Sequence, residues 1–530
     1  MSALENLRFT IAQINPSVGD LDGNLDRILS VWKDNDQSSD LIIFSEMVLT
    51  GYPPEDLLHK SAFIDTCEEK IEYLIEQSLT KSSAILIGAP YRIDNKLYNA
   101  ALMIDNGKLK SVTAKHHLPN YGVFDEKRYF TPSSETKAAE FRGTKLGIMI
   151  CEDMWFDNIA NDLKKQGAEI LISVNGSPFE IGKLTARDLQ ARARVEETNL
   201  PLIYVNQIGG QDDLVFDGTS FVLDANGTKI LTCKSFEEDV CPLSSHSERS
   251  EESPLKEELL FRATSLGLKD YMRKTGQKKV LIGLSGGVDS ALAAAIAVDA
   301  IGAENIHAVM MPSEFTSQES LDDAALCAKN LGISYEIVPI KNMVATFIKD
   351  QPETTGLAHE NLQSRLRGVI LMTKSNMTGA MVVTTGNKSE MAMGYATLYG
   401  DMCGGYNPLK DMYKTTVYKI CDWYNQTHDK KIPQNIITKA PSAELRPDQK
   451  DQDSLPPYEI LDAILECLIE KDLSVSETIE IGFNKDTVEK VARHLKIAQY
   501  KRNQSAPGPK LTPRAFARER RYPIANGYKG

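Results

Sequence analysis

Short apolar runs alternate with longer amphipathic stretches along most of this chain. In the first part the runs are LRFTIAQI, LIIFSE, SAILIGAP, NAALMID, KLGIMIC, EILISVN, LPLIYVNQ and GTSFVLD. Each is short and rich in β-branched or large apolar residues, as buried strands are. Between several of them lie stretches of helical period, such as 60–80 and 181–199. The second part repeats the rhythm with KVLIGLS, NIHAVMM, SYEIVPI and GAMVVTTGN, each followed by a helical stretch. Both parts therefore read as α/β, the second as a doubly wound parallel sheet. One segment breaks the rhythm: CPLSSHSERSEESPLKEE, residues 241–258, is polar and has no apolar period. It divides the chain into a domain over 1–245, a linker over 246–258 and a domain over 259–530.

Composition narrows the class. A chain of 530 residues exceeds one ordinary core, and 42% hydrophobic with 25% charged residues is a globular balance. A net charge of −13 argues against binding nucleic acid through a broadly basic face. Eight cysteines contain no CxxC pair, so neither a zinc site nor a disulfide framework is suggested. There is no basic-then-apolar leader and no run of membrane-spanning length, so the expectation is a cytoplasmic protein without a membrane partner.

The densest chemical signal is LSGGVDSALAAA. A strand over 279–284 delivers Ser285, Gly286 and Gly287 to a turn, and a helix begins near Asp289 or Ser290. Consecutive glycines let backbone N–H groups face an anion, and the helix N-terminus adds partial positive charge. Ser285 and Ser290 can donate to phosphate oxygens. Asp289 beside a phosphate calls for a bridging divalent cation, hence Mg²⁺. No GK[ST] follows, so this is not a Walker A loop.

The SGGVDS motif resembles the signature of the ATP pyrophosphatases, which cleave ATP between the α and β phosphates to adenylate a carbonyl oxygen. Residues 382–420 and 440–465 resemble the bacterial ammonia- or glutamine-using NAD synthetases, which amidate nicotinic acid adenine dinucleotide. The resemblance implies that Glu390 is a second carboxylate on Mg²⁺ with Asp289. It places Thr385 near the nucleotide, and Asn361, Arg365, Asp401 and Lys414 against the dinucleotide or phosphates. Ser442 and Glu444 match a flap over the phosphates, and Lys501 and Arg502 a basic pair near the C-terminus.

In the first part, three residues end strand-like runs: Glu46 in LIIFSE, Lys115 in LKSVTAKHH and Cys151 in KLGIMICED. A carboxylate can act as base, an ammonium can hold an oxyanion, and a thiol can attack. Their order and flanking words resemble the nitrilase, or carbon–nitrogen hydrolase, superfamily. That implies an α-β-β-α sandwich with the triad at strand ends, and an additional glutamate at Glu126. Tyr121, Glu152, Ser177, Glu180 and Lys183 match the glutamine pocket; His116 and His117 read as structural or polar-rim residues. The order of modules implies a ligase: glutamine is hydrolysed in one, and the ammonia passes to an acid adenylated by ATP in the other. The resemblance also implies a homo-oligomer built on a synthetase-domain dimer. Rival readings are an amidase whose second half senses ATP, an RNA-modifying pyrophosphatase, and GMP or asparagine synthetase. Intact signatures, the lack of CxxC pairs or a basic face, and Met1-Ser2 at the start weigh against them.

Overall fold

The computed structural model describes residues 3–243 and 255–528. By contacts the chain divides into two compact units, Met1–Gln211 with Val215–Ser253, and Asp212–Leu214 with Pro254–Gly530.

The first unit is built from β1 (Phe9–Gln13), α1 (Leu21–Asn35), β2 (Leu41–Phe44), α2 (Ser61–Gln77), β3 (Ala84–Ile93), β4 (Lys96–Asp105) and β5 (Lys108–Ala114). It continues through β6 (Ala139–Phe141), β7 (Thr144–Ile150), α3 (Asp157–Lys165), β8 (Ile170–Asn175), α4 (Lys183–Thr198), β9 (Leu202–Asn206), β10 (Ile208–Gln211), β11 (Leu214–Asp217), β12 (Phe221–Leu223), β13 (Lys229–Thr232) and β14 (Asp239–Pro242). Two six-stranded sheets result, in the orders β14-β1-β2-β3-β4-β5 and β13-β12-β9-β8-β7-β6.

Alternation along the strands explains why these sheets stack. Phe9, Ile11, Leu41, Ile43, Leu86 and Met103 of one sheet share a core with Ile148, Ile150, Ile172, Val174, Ile203 and Val205 of the other. The neighbouring residues Ile42, Phe44, Ile85 and Leu102 face the other way, onto Ile28 and Trp32 of α1 and Ile71 and Leu74 of α2. Met149, Leu171 and Tyr204 similarly face Ile159 and Leu163 of α3 and Val195 of α4. Period-two strands buried on both faces therefore yield helix, sheet, sheet, helix.

Both ends of the polar 241–258 segment fall in regular elements. Cys241 and Pro242 belong to β14, where they pair with Ile11 and Thr10 of β1. This edge strand draws its order from β1 and needs no apolar period of its own. At the other end, α5 (Lys256–Lys274) takes residues 256–258 from the expected linker; residues 246–254 lie outside the described residues.

The second unit centres on β15 (Val280–Gly283), β16 (Ile306–Met310), β17 (Ser334–Ile337) and β18 (Met381–Val383), all parallel, in the order β17-β16-β15-β18. Between and after them run α6 (Val288–Ile301), α7 (Gln318–Leu331), α8 (Lys341–Asp350), α9 (Leu357–Thr378), α10 (Lys388–Met393) and α11 (Lys414–Thr427). The order reverses between β15 and β18, and ligands of such sheets bind at the carboxyl ends of the strands flanking that point. Those ends carry the SGGVDS and TTGNKSE segments.

Candidate functional site

In the first unit four strand ends supply one buried polar cluster. Glu46 follows β2, Lys115 follows β5, Cys151 follows β7, and Gly176 follows β8. The loop carrying Glu46 lies against β3 because position 88 has no side chain: a β-carbon there would fall 2.2 Å from Met47 N and 2.6 Å from Glu46 Cα.

Lys115 is fully buried, as is Glu46. A buried ammonium is tolerable only when paired. Its Nζ donates to Glu46 Oε1 at 2.7 Å and to Glu126 Oε1 at 2.8 Å. Burial opposes its charge, but Glu126 and Glu46 outweigh that and hold its pKa well above the ordinary lysine value. Asn99 Nδ2 donates to Glu46 Oε1 at 2.7 Å, and Gly176 N–H to Oε2 at 2.7 Å. Glu126 also accepts the Tyr52 hydroxyl at 2.8 Å. Burial pushes the Glu126 carboxyl up to about 7, with Lys115 opposing and Glu46 adding to the rise.

Cys151 is buried and occupies the turn between β7 and the 3-10 helix Cys151–Trp155, at φ +45°. A side-chain-bearing residue in that region stores about 1–2 kcal/mol of strain. Burial, reinforced by Glu46, raises the thiol's pKa well above its ordinary value, against the pull of Lys115. The thiol must therefore give up its proton as it reacts, and the site supplies carboxylates to receive it.

At the rim, the exposed Tyr121 donates its hydroxyl to Glu152 Oε1 and Oε2 at 2.9 and 3.0 Å. Burial raises the Glu152 pKa, while Tyr121, Lys115 and Lys183 oppose the rise. Lys183 Nζ lies 4.6 Å from the centre of the Trp155 ring. Tyr121, Glu152 and Lys183 thus form one polar group. Ser177 is placed differently: its Oγ accepts Arg187 Nε at 3.1 Å, and Arg187 is in turn paired with Asp217 at 2.8 Å. Its hydroxyl is engaged in a buried ion-pair network, which sequence reading missed. His117 stacks on Phe156 with centroids 4.1 Å apart, in keeping with a structural role. Sequence reading also missed Asn99, Tyr52 and Asp153, whose partners are remote in sequence.

In the second unit a cavity of about 280 Å³ opens at the carboxyl ends of β15 and β18. Ser285, Gly286, Gly287, Asp289, Ser290, Thr385, Glu390, Asp401 and Lys414 all line it. Ser290 Oγ donates to Gly287 O at 2.9 Å and accepts Ser285 N–H at 3.2 Å, so the loop is braced by its own hydroxyls. Lys414 is buried with its Nζ against Asp289 Oδ2 and 3.6 Å from Glu390 Oε1. Asn387 Nδ2 donates to Asp289 Oδ1 at 2.9 Å and, as the N-cap of α10, its Oδ1 accepts Glu390 N–H at 2.9 Å. Burial, and then the Asp289 charge, push the Glu390 carboxyl up to about 8. One lysine between two crowded carboxylates leaves a site of oxygen donors that favours added positive charge, and its donors suit a hard divalent cation.

Asn361 and Arg365 of α9 lie outside that cavity's lining. Asn361 Oδ1 accepts Thr397 Oγ1 at 2.9 Å, and Arg365 Nε donates to Leu398 O at 3.3 Å. Glu444 Oε1 accepts the hydroxyls of Ser317 and Ser320, each at 2.8 Å, which fixes the 442–445 segment to the start of α7. Lys501 donates to the carbonyls of Gly394 and Ala396 at 2.8 and 2.6 Å, and Arg502 to those of Met391 and Ala392 at 3.2 and 3.1 Å. Both cations are spent on the backbone around the end of α10.

A sandwich with a Glu-Lys-Cys cluster and a parallel sheet with a glycine-rich anion loop define a carbon–nitrogen hydrolase module joined to a nucleotide-activating synthase module. Family models agree: carbon-nitrogen hydrolase matches residues 8–244 and NAD synthase residues 260–505. The glutamine-dependent NAD(+) synthetase of Rhodobacter capsulatus is 45% identical, with 99% of each chain covered. That of Aquifex aeolicus is 40% identical over 98% of this chain and 100% of its own. The structure of the Acinetobacter baumannii glutamine-dependent NAD+ synthetase, in complex with ADP, superposes with a TM-score of 0.79 at 40% identity, covering 98% of each chain. The chain belongs to the glutamine-dependent NAD(+) synthetase family.

Proposed function

We propose that the two sites divide one amidation between them. The chain hydrolyses glutamine to glutamate and ammonia, and uses ATP to convert nicotinic acid adenine dinucleotide to NAD+, releasing AMP and pyrophosphate. The observation that carries this reading is the presence, in one chain, of a buried Glu46–Lys115–Cys151 cluster and a cavity lined by Asp289, Glu390, Lys414 and the glycine loop.

In the first site, Cys151 attacks the carboxamide carbon of glutamine while Glu46 takes the thiol proton. Lys115, held by two carboxylates, faces the charge that develops on the carbonyl oxygen; such a donor supplies about 3–4 kcal/mol. Glu46 returns the proton to the leaving nitrogen, which departs as ammonia. Water deprotonated by Glu46 then opens the thioester to glutamate and restores the thiol. Tyr121, Glu152 and Lys183 suit the amino and carboxylate ends of the substrate, and Ser177 contributes through its backbone position.

In the second site, the pyridine carboxylate attacks the α-phosphorus of ATP and pyrophosphate leaves. The loop amides after β15 and the start of α6 receive the phosphates. Asp289 and Glu390 would hold Mg²⁺, which neutralises the leaving pyrophosphate when bound. Lys414 offsets the repulsion between those carboxylates and offers its ammonium to phosphate. Thr385 and Asp401 line the nucleotide's cavity, and Asn361 and Arg365 serve the dinucleotide from outside it. Ammonia then attacks the acyl adenylate, and AMP departs. The working form is a homo-oligomer built on the second unit, in the cytoplasm; among the described residues no helix is long and apolar enough to cross a membrane.

The test is an incubation with ATP, Mg²⁺, nicotinic acid adenine dinucleotide and amide-¹⁵N glutamine. Label should enter NAD+, with AMP and pyrophosphate formed in equal amounts. Intact ATP alongside glutamine hydrolysis would make the chain an amidase with a nucleotide sensor.

A further inference from the structure

Lys115 and Cys151 are carried by different segments, yet the proposed chemistry needs a fixed distance between ammonium and sulfur. One side chain joins the two segments. Asp153, fully buried, accepts the N–H groups of His116 at 3.0 Å and His117 at 2.8 Å through Oδ1, immediately after Lys115. Through Oδ2 it accepts the N–H of Ile150 at 3.1 Å, immediately before Cys151.

We infer that Asp153 is a positioning residue of the glutaminase centre, whose carboxylate locks the Lys115 segment to the Cys151 turn. Capping of the short helix Cys151–Trp155 accounts for the bond to Ile150 but not for the pair from His116 and His117. Only an ionised carboxylate offers acceptors alone on both of its atoms, so it can take N–H groups from two directions at once. The strained φ of +45° at Cys151 also requires neighbours that hold it. The His116 ring also faces this carboxylate, its Nδ1 lying 3.8 Å from Asp153 Oδ2, while its Nε2 lies 3.0 Å from Glu135 O and 3.2 Å from Thr136 Oγ1. At 3.8 Å the ring adds attraction when protonated, but the three hydrogen bonds of the bridge all come from backbone N–H groups. Lys115 itself ends in a flexible four-carbon stem, so its reach is set where its backbone is set.

This inference rests on the glutaminase reading, and the test separates the two. The full chain is compared with Asp153→Asn, Asp153→Ala and Cys151→Ala. Asp153→Asn keeps an acceptor for one segment but turns a donor toward the other. Glutamine hydrolysis should lose roughly a hundredfold in kcat, as expected for about 1 Å of misplacement, with KM little changed. Alkylation of Cys151 by iodoacetamide, located by peptide mass, should slow with it. NAD+ synthesis from ammonium should be retained, which shows that the variant is folded. Asp153→Ala should lose more than Asp153→Asn. Wild-type kcat and alkylation in Asp153→Asn would overturn the inference, as would a change confined to KM, or a fall in ammonium-driven synthesis as large as that in glutaminase. Glutamine hydrolysis by Cys151→Ala would remove the reading underneath it.

Discussion

The two glycines of the anion loop are chemically identical and differ sharply in what they permit, so they make a paired test. Gly286 has φ +79°, and a β-carbon there would sit 2.4 Å from Ser320 O, 3.0 Å from Ser320 Cα and 3.1 Å from its carbonyl carbon. All three are backbone atoms at the start of α7, which cannot swing aside as a side chain can. Gly286→Ala thus meets about 1–2 kcal/mol of left-handed strain and a contact that must open by about 1 Å to reach ordinary carbon–oxygen separation. Ser320 also donates to Glu444 at 2.8 Å, so the displacement reaches the 442–445 segment as well. Gly287 has φ −97°, and its β-carbon would meet only Ser285 Oγ, at 3.3 Å, which a hydroxyl rotation relieves.

A misplacement of this size at a reacting centre costs about a hundredfold in rate. Gly286→Ala should therefore lose roughly that factor in ammonium-driven AMP release, and Gly287→Ala about tenfold or less. The assay follows AMP and pyrophosphate at saturating ammonium, with glutamine hydrolysis as the internal measure of intact protein. Equal losses in the two variants would refute the steric argument and move the cost to direct phosphate contact. Wild-type rates in Gly286→Ala would show that the loop's shape is immaterial.

Cys151→Ala should abolish NAD+ synthesis from glutamine while leaving synthesis from ammonium largely intact, measured with each nitrogen source in turn. Asp289→Asn, which weakens the pair with Lys414 and halves the carboxylate set, should lower ATP cleavage by at least about a hundredfold and spare glutamine hydrolysis. Chelation with EDTA should stop AMP release, and added Mg²⁺ restore it, with glutamine turnover unaffected. Because burial raises the Glu126 carboxyl from 4.5 to about 7, its folding contribution is complete below pH 4.5 and is lost as pH rises toward 7. The thermal midpoint of the first unit should fall across that window by the equivalent of a few kcal/mol at most, and Glu126→Gln should flatten the slope.

What the chain reveals before folding depends on whether a residue's role is local. Glu46, Lys115 and Cys151 each end an apolar run, and the anion loop sits between a strand and a helix; such features are written in neighbouring letters. The strand order of the parallel sheet, with its reversal between β15 and β18, is not written in that alternation, although both loops that follow those strands stand out in the sequence. Asp153 could not be found this way. Its neighbours in CEDMW identify it only as an acid after a cysteine, and its meaning arises when β5 of one sheet and β7 of the other are stacked. Asn387 caps α10, and only the fold brings its amide to Asp289. Arg187 and Asp217 lie far apart in the chain, and only the fold buries them together as an obligatory pair. Lys414 stands out from its motif, whereas its place between two carboxylates depends on α10 and α11 packing together. The residues proposed to carry chemistry were thus accessible from pattern, and those proposed to hold them in place were not, because a positioning group is defined by what it joins. It follows that an acid invisible to pattern, buried, and bonded to the backbone of two catalytic segments deserves mutation before another residue of the visible motif.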